Sequence, residues 1–176
     1  LVLNNTSIVK SNYAYLVNNT DYNIHQFIYA LQSEGVFVQT ATRTFSTSIN
    51  GENKNFGYGS IIISVQQQKV GADELLNIIS KASVAANIKV HTVATGYSNS
   101  GIDLGSNYIK TLKKPEAAMI IGTGVAASEA GEIWHLLDQR LHMPITKIDI
   151  LNFSRVRLER YNTLVMVSGA YNFLDK

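Results

Sequence analysis

Residues 117–128 read Ala-Ala-Met-Ile-Ile-Gly-Thr-Gly-Val-Ala-Ala-Ser, and this stretch decides the fold. Its first five residues are apolar and suit a buried strand, and the triplet Gly122-Thr123-Gly124 suits a tight loop. From Ser128 to His142 the apolar residues recur with the spacing of a helix. A strand, a tight loop and a helix in this order are typical of parallel α/β proteins.

The same alternation extends along the rest of the chain. Residues 24–31 carry apolar side chains at helical spacing, with Asp21 as the predicted N-cap and Gly35 as the predicted end. Strands are predicted at residues 14–17, 36–42, 60–65, 88–94, 117–121, 145–150 and 164–167. Further helices are predicted at 72–82, 128–142 and 154–160, and a tight turn at Asn50-Gly51.

We therefore predict a single α/β domain of three layers, with a parallel-rich, flavodoxin-like sheet covered by helices on both faces. Two halves of similar plan, at about residues 13–95 and 115–176, are joined by a polar, glycine-containing connector at 96–114. The chain stops at Asp175-Lys176, soon after its last predicted strand. The sheet is expected either to be truncated there or to end in an exposed edge, through which a homo-oligomer could form.

Composition and charge argue against several classes of partner. The 15 Lys and Arg and 13 Asp and Glu are scattered, whereas nucleic-acid binders concentrate positive charge on one face. Arg155, Arg157 and Arg160 share a short segment with Glu159, which is typical of a solvated helical face. The chain has no cysteine, and no apolar run reaches the roughly 20 residues of a membrane span. We therefore predict neither nucleic acid nor a membrane as partner.

The glycine loop provides a candidate ligand site. The pattern Gly122-x-Gly124-x-x-Ala127 between a strand and a helix resembles a dinucleotide-binding fingerprint, in which backbone N–H groups approach a phosphate. Ser128 begins the helix, and Asp149 at the tip of the next strand is the acidic type that contacts a ribose. Any tight strand-to-helix turn favours glycine, so the pattern alone is weak. The candidate ligand-binding residues are Gly122, Gly124, Ser128 and Asp149.

Metal-binding and catalytic constellations are not indicated. Glu132 and His135 are three residues apart, a spacing at which a helix presents two side chains on one face. The helical wheel places His135 opposite the apolar arc and therefore in solvent, and a zinc site needs three or four ligands. His25 and His91 lie in other predicted elements, and no Gly-x-Ser-x-Gly motif is present. We predict no catalytic residue and no metal ligand in this chain.

Arg140 falls inside the apolar arc of the same helix. A buried guanidinium group requires a partner, and Asp149 at the end of the next strand is a candidate for an ion pair. The alternative is a side chain that extends to solvent near the end of the helix. Both interpretations make Arg140 structural.

The segment at residues 121–140, Ile-Gly-Thr-Gly-Val-Ala-Ala-Ser-Glu-Ala-Gly-Glu-Ile-Trp-His-Leu-Leu-Asp-Gln-Arg, is distinctive. It resembles part of a region that follows the metallopeptidase domain in bacterial zinc carboxypeptidases. Further segments that resemble this region are residues 54–65, 101–106, 112–115, 143–146 and 160–169. The resemblance covers most of residues 13–171.

The resemblance implies a domain similar to the class I glutamine amidotransferase fold, appended to a zinc-dependent exopeptidase. Those peptidases bind zinc through an H-x-x-E motif and a distant His, with a Glu as general base. None of the four histidines here is followed by Glu three residues later; the residues at that position are Ile28, Ala94, Asp138 and Ile145. Zinc is therefore expected in the catalytic domain of the parent protein, which would be the partner of this region. An extracytoplasmic location is implied, because members of the family are commonly secreted.

Three hypotheses for function follow. The first is a non-catalytic accessory domain of a zinc carboxypeptidase-like protein, of which a chain beginning Leu1-Val2 would be a piece. The second is a fragment of an amidotransferase-like hydrolase whose nucleophile lies downstream. The third is a small-molecule or nucleotide-binding module that uses the Gly122–Gly124 loop.

Overall fold

The computed structural model describes residues 7–172, so the predictions about Leu1-Val2 and Asp175-Lys176 lie outside the described residues. The chain divides into an N-terminal unit, Leu1–Lys113, and a C-terminal unit, Lys114–Lys176. The strands are β1 (Ala14–Val17), β2 (Gln39–Ala41), β3 (Phe45–Ile49), β4 (Glu52–Phe56), β5 (Ile61–Ser64), β6 (His91–Val93), β7 (Ser100–Gly101), β8 (Ile109–Thr111), β9 (Ala117–Ile121), β10 (Ile145–Asp149) and β11 (Thr163–Val165). The α-helices are α1 (Ile24–Ser33), α2 (Ala72–Ala86) and α3 (Ala127–Trp134). Much of the predicted connector at 96–114 belongs to the N-terminal unit, where it supplies β7 and β8.

The main sheet of the N-terminal unit is antiparallel. Its strand order is β6-β1-β5-β2-β8, and β1 pairs with β5 from Ala14 opposite Ser64 to Val17 opposite Ile61. The order and direction of β1, β2, β5 and β6, with α1 and α2 as connections, match the ferredoxin-like β-α-β-β-α-β arrangement. The prediction of a parallel-rich sheet is therefore wrong for this unit.

The layer that covers each face of this sheet explains the error. Three consecutive buried residues, Ile61, Ile62 and Ile63, are typical of a parallel strand between two layers of helices. In the structure, Ile61 and Ile63 pack against α1 and α2, whereas Ile62 packs against the β3–β4 hairpin. Strand β5 is thus buried on both faces within an antiparallel sheet.

Both helices of this unit lie on the same face of the sheet. Phe27 and Leu31 of α1 and Leu75 and Ile79 of α2 form one apolar cluster with Tyr15 of β1, and all five are fully buried. The prediction of helices on both faces of the sheet is wrong for residues 7–113, where α1 and α2 cover only one face. The layers of this unit are two helices, the five-stranded sheet and a hairpin.

The predicted caps of α1 have different outcomes. The helix ends before Gly35, as predicted, but its N-cap residue is Asn23 and not Asp21. Asp21 contributes only its carbonyl oxygen, which accepts a hydrogen bond from the Ile24 N–H at 3.1 Å. The Asn23 side chain reaches the end of α2 and donates to the Ala86 carbonyl oxygen at 3.0 Å. The N-cap prediction is therefore wrong by two residues, and the Asn23 side chain joins α1 to α2.

The opposite face of the main sheet carries a small sheet with strand order β4-β3-β7. The predicted turn at Asn50-Gly51 connects β3 to β4, and both residues have positive φ, +54° and +83°. Phe45 and Phe56 stack with ring centroids 5.0 Å apart and bury this hairpin against the main sheet. The turn prediction is confirmed.

The C-terminal unit contains the parallel structure. Strands β10, β9 and β11 form a parallel sheet in that order, with Ile145 and Thr163 both opposite Ala117. Helix α3 covers one face, where Met119 is fully buried. The predicted strand at 117–121 has the observed bounds, and residues 154–160, predicted as a helix, form parts of two 3-10 turns, Ile150–Arg155 and Leu158–Arg160. A mixed α/β chain with a parallel sheet is confirmed.

Candidate functional site

The turn between β9 and α3 contains two of the predicted ligand residues. Gly122 has φ +112° and Gly124 has φ +85°, which residues with a Cβ rarely adopt. The Val125 N–H donates to the Gly122 carbonyl oxygen at 3.1 Å and closes the turn. Helix α3 begins at Ala127, one residue earlier than predicted, so Ser128 lies exposed in its first turn. The strand, turn and helix occur where the sequence places them.

Asp149 lies beside this turn, at the end of β10. The parallel pairing of β9 with β10 sets it opposite Ile121. One carboxylate oxygen accepts a hydrogen bond from the Leu151 N–H at 2.9 Å and caps the following 3-10 turn. A Cβ on Gly122 would lie 3.2 Å from either carboxylate oxygen. The structure therefore brings Asp149 and Gly122 together and gives the carboxylate a backbone partner.

A later segment of the same unit braces the turn. The Ala126 N–H donates to the Ser168 carbonyl oxygen at 2.8 Å, and the Ala170 N–H donates to the Gly124 carbonyl oxygen at 2.9 Å. The N–H groups of Val125 and Ala126 are thus used within the protein. In a dinucleotide-binding turn such N–H groups bind a phosphate. The geometry here therefore favours a structural turn over a phosphate-binding site.

A cavity of about 330 Å³ lies between α3 and the parallel sheet, next to the glycine turn. Its lining includes Met119, Ile121, Gly122, Ala130, Trp134 and Lys147. The Lys147 ammonium nitrogen lies 4.8 Å from the centre of the Trp134 ring, in a cation–π contact. Gly131 also lines the cavity, and a Cβ added there would meet no atom within 4 Å. The space suits a small apolar group, with one cation available at its wall.

The four histidines are distributed over both units. His25 is on α1, His91 is on β6, and His135 and His142 are exposed beyond the end of α3. The prediction that His135 faces solvent is confirmed, and Glu132 is exposed as well. Within residues 7–172, no group of three His, Cys, Asp or Glu side chains is placed to hold a metal ion. The described residues therefore do not fit a zinc site of three or four ligands.

Arg140 is exposed, so the structure favours the side chain that extends to solvent over the buried ion pair. After Trp134 the helix continues as a π-helical segment, His135–Arg140, in which each residue advances by a smaller angle than in an α-helix. The side chains past Trp134 therefore leave the arc that α-helical geometry assigns to them. Leu136, which the same wheel places inside, has 42% of its surface exposed for the same reason.

The basic segment near the end of the chain is solvated, as predicted. Arg155, Arg157 and Arg160 are exposed, and the Arg157 side chain pairs with Glu159 at 3.2 Å. Exposed pairs of this kind contribute little to stability.

Sequence reasoning missed a cleft of about 560 Å³ in the N-terminal unit. Its walls come from residues 7–10, the tip of the β3–β4 hairpin and the edge strand β6, and they include Lys54, Lys89 and His91. Burial, and then the charges of Lys54 and Lys89, lower the pKa of His91 from 6.5 to about 4. Lys54 is far from Lys89 and His91 in the sequence, so only the fold of the hairpin brings it beside them.

Among residues 7–172, no helix has both the length and the apolar character needed to cross a membrane. Comparisons with protein-family models, with curated proteins and with solved structures give no match to this chain.

Proposed function

We propose that this chain is a non-catalytic accessory region of a zinc carboxypeptidase-like protein and that it contributes binding. The proposal rests on the resemblance of residues 121–140, the most specific of the matching segments. In the structure these residues form the end of β9, the glycine turn, α3 and the π-helical segment. They supply most of the lining of the cavity beside the turn, so the distinctive sequence coincides with the one candidate ligand site predicted from it.

The position of the cavity is the main observation that supports a role in binding. In α/β proteins, ligands bind beyond the carboxyl ends of parallel strands, and the turn after β9 lies at such an end. The Asp149 carboxylate caps a backbone turn, and Ser128 is exposed in the first turn of α3. The Lys147 ammonium group suits the carboxylate of a small aromatic or aliphatic acid.

Three finer features belong to the same proposal. The parallel sheet β10-β9-β11 would be part of a flavodoxin-like or class I glutamine amidotransferase-like sheet. The catalytic domain of the parent protein would be the partner, in an extracytoplasmic compartment, and would hold the zinc. Strands β10 and β11 each have one partner strand in this sheet, so a sheet edge is available for association with another chain.

A small-molecule-binding module is the second candidate function, and the 330 Å³ cavity favours it. Trp134 is the single tryptophan of the chain and lines the cavity, so its fluorescence reports on an occupant. Titration with benzoate, which joins an apolar ring to a carboxylate, should change this fluorescence saturably, and adenosine monophosphate tests the nucleotide alternative. Gly131→Leu should abolish the response by filling the cavity. Val84→Leu, at an exposed position of α2, is the matched control.

The outcomes separate the two candidates. A response to benzoate that Gly131→Leu removes and Val84→Leu keeps would support binding in the cavity. No response to either compound, or an equal response in Gly131→Leu, would contradict it. The parent reading frame tests the accessory role separately: an H-x-x-E motif with a later His upstream of Leu1 is expected, and a complete upstream sequence without them would refute the proposal.

A further inference from the structure

The cleft of the N-terminal unit, which we call the lysine cleft, is lined by Asn50, Glu52, Lys54, Lys89, His91 and Thr92, among others. It lies where the β3–β4 hairpin meets the edge strand β6, which pairs only with β1 in the main sheet. It belongs to a different unit from the cavity beside the glycine turn. Nothing in the proposed function uses this site.

Lys54 lies on the face of the hairpin that packs against the main sheet. Residues 52, 54 and 56 of β4 share one side of the strand, and Phe56 on that side is buried against the main sheet. Lys54 is half-buried beside it. A partly desolvated ammonium group is costly unless a negative charge accompanies it. Lys54 thus occupies a position that favours an anion.

The protein supplies little negative charge to the lysine cleft. Among the described residues, no carboxylate oxygen is found within 4.0 Å of the Lys54 or Lys89 ammonium nitrogen, whereas Lys10 pairs with Asp73. Lys10, which also lines the cleft, is neutralised by its pair with Asp73. Glu52 is the single acidic residue of the lining and is exposed. Two cations, the half-buried Lys54 and the exposed Lys89, therefore line the cleft without an ion-pair partner within residues 7–172.

His91 completes the group. It lies opposite Leu16 in the β1–β6 ladder, and its ring meets the edge of the Phe56 ring at a centroid distance of 6.0 Å. With a pKa lowered to about 4 it is neutral at pH 7, so it offers one N–H donor without adding charge. A neutral donor beside two ammonium groups matches the requirements of an oxyanion.

We propose that the lysine cleft binds a small anionic ligand through a phosphate or carboxylate group, held by Lys54, Lys89 and the His91 imidazole. A volume of about 560 Å³ accommodates such a group together with a compact organic body. The bound anion offsets the positive potential that Lys54 and Lys89 place on the ring, and so raises the pKa of His91. Anion binding and protonation of His91 are therefore linked.

The test is an NMR titration of the His91 ring resonances against pH, with and without a probe anion. Inorganic phosphate and acetate are the two probes, and the stronger binder identifies the anionic group that the cleft prefers. In the unmodified chain, saturating probe should move the pKa of His91 from about 4 towards 6.5. Lys54→Met and Lys89→Met should each weaken binding about tenfold, because each removes one charged hydrogen bond. Lys110→Met, at an exposed position of β8, is the control and should bind as the unmodified chain does.

Each outcome bears on the proposal. Saturable shifts that both cleft variants lose and Lys110→Met keeps would support it, whichever probe binds more tightly. An unchanged pKa of His91 at high concentrations of both probes would overturn it, and this measurement needs no variant to fold. Equal weakening in Lys54→Met, Lys89→Met and Lys110→Met would also overturn it, since the effect would then reflect overall charge.

Discussion

Gly101 shows how a single residue constrains the packing of the N-terminal unit. It has φ +83°, and its backbone lies directly against β3. A Cβ at this position would lie 2.3 Å from the Thr44 carbonyl oxygen and 2.8 Å from the Phe45 Cα. Both neighbours are backbone atoms at the start of β3, where the Phe45 side chain is buried, so neither can move at low cost. Gly101 falls within one of the segments on which the family resemblance rests, and a close backbone approach accounts for glycine there.

Gly101→Ala is therefore expected to destabilise the protein by at least about 2 kcal/mol, since the positive φ and the backbone clash both oppose a side chain. The matched control is Gly105→Ala, because Gly105 has no atom within 4 Å of an added Cβ. That variant should change stability by no more than about 0.5 kcal/mol. Chemical denaturation of both variants is the measurement. Similar free energies of unfolding for the two would contradict the close approach to β3.

His91 makes a pH-dependent contribution to stability. Its pKa is about 4 in the folded protein and 6.5 as a free side chain, so the unfolded chain binds the proton first as pH falls. Above pH 6.5 the titration of His91 does not change the free energy of unfolding. Between pH 6.5 and 4 the free energy of unfolding falls progressively as pH falls. Because the ring is half-exposed, the loss should amount to roughly 1 kcal/mol.

His91→Phe tests this contribution, because phenylalanine keeps the aromatic contact with Phe56 and does not titrate. The free energy of unfolding should be measured for both proteins from pH 7 to pH 4. Relative to the unmodified chain, the variant should gain stability as pH falls through this range. A constant difference between the two proteins would show that His91 is not destabilised in its charged form.

Helix α3 illustrates how much of an element can be predicted from sequence. Its start, its inward Trp134 and its outward His135 follow from the apolar spacing and the preceding glycines. The positions of Arg140 and Leu136 could not be predicted, because the π-helical segment begins after Trp134 and no residue there signals it. The same limit applies to the N-cap of α1. Asn23 occupies this position instead of the predicted Asp21, and the Asn23 side chain contacts the end of α2.

Gly131 is the residue of α3 with the lowest helix propensity. It lies in the middle of the helix, where glycine costs about 0.5–1 kcal/mol relative to alanine, and an added Cβ would enter open space in the cavity. Gly131→Ala is therefore expected to raise the melting temperature, and Ala130→Gly, at the neighbouring buried position, to lower it. Thermal unfolding followed by circular dichroism measures both. A destabilised Gly131→Ala protein would mean that the cavity is smaller than the structure indicates.

On the scale of the whole molecule, α1, α2, α3 and the strands that flank them lie close to their predicted positions, whereas β3, β4, β7 and β8 were not predicted and the sheet pairing was predicted only in part. The C-terminal unit has the expected parallel order because β9 and β10 are linked by a helix. In the N-terminal unit, β2 and β5 are linked by the β3–β4 hairpin, so they pair antiparallel. The buried run at Ile61–Ile63 looks alike in both arrangements, and this is why hydrophobic pattern alone could not distinguish them.

The two candidate sites also differ in how far the sequence alone predicts them. Gly122, Gly124, Ser128 and Asp149 all belong to the unit formed by β9, α3 and β10, so local sequence sufficed to group them. Lys54 meets Lys89 and His91 only because the hairpin packs beside β6, far from it in the sequence. A charge pattern spread over such distances gives no signal in the sequence.

The central claim is that this chain contributes binding and performs no peptidase chemistry of its own. The most direct test is to incubate the chain with peptides that end in varied residues, with and without added zinc, and to measure release of the C-terminal amino acid. The expected rate equals that of zinc and peptide without protein. Release that requires both the chain and zinc, and that a chelator stops, would contradict the claim.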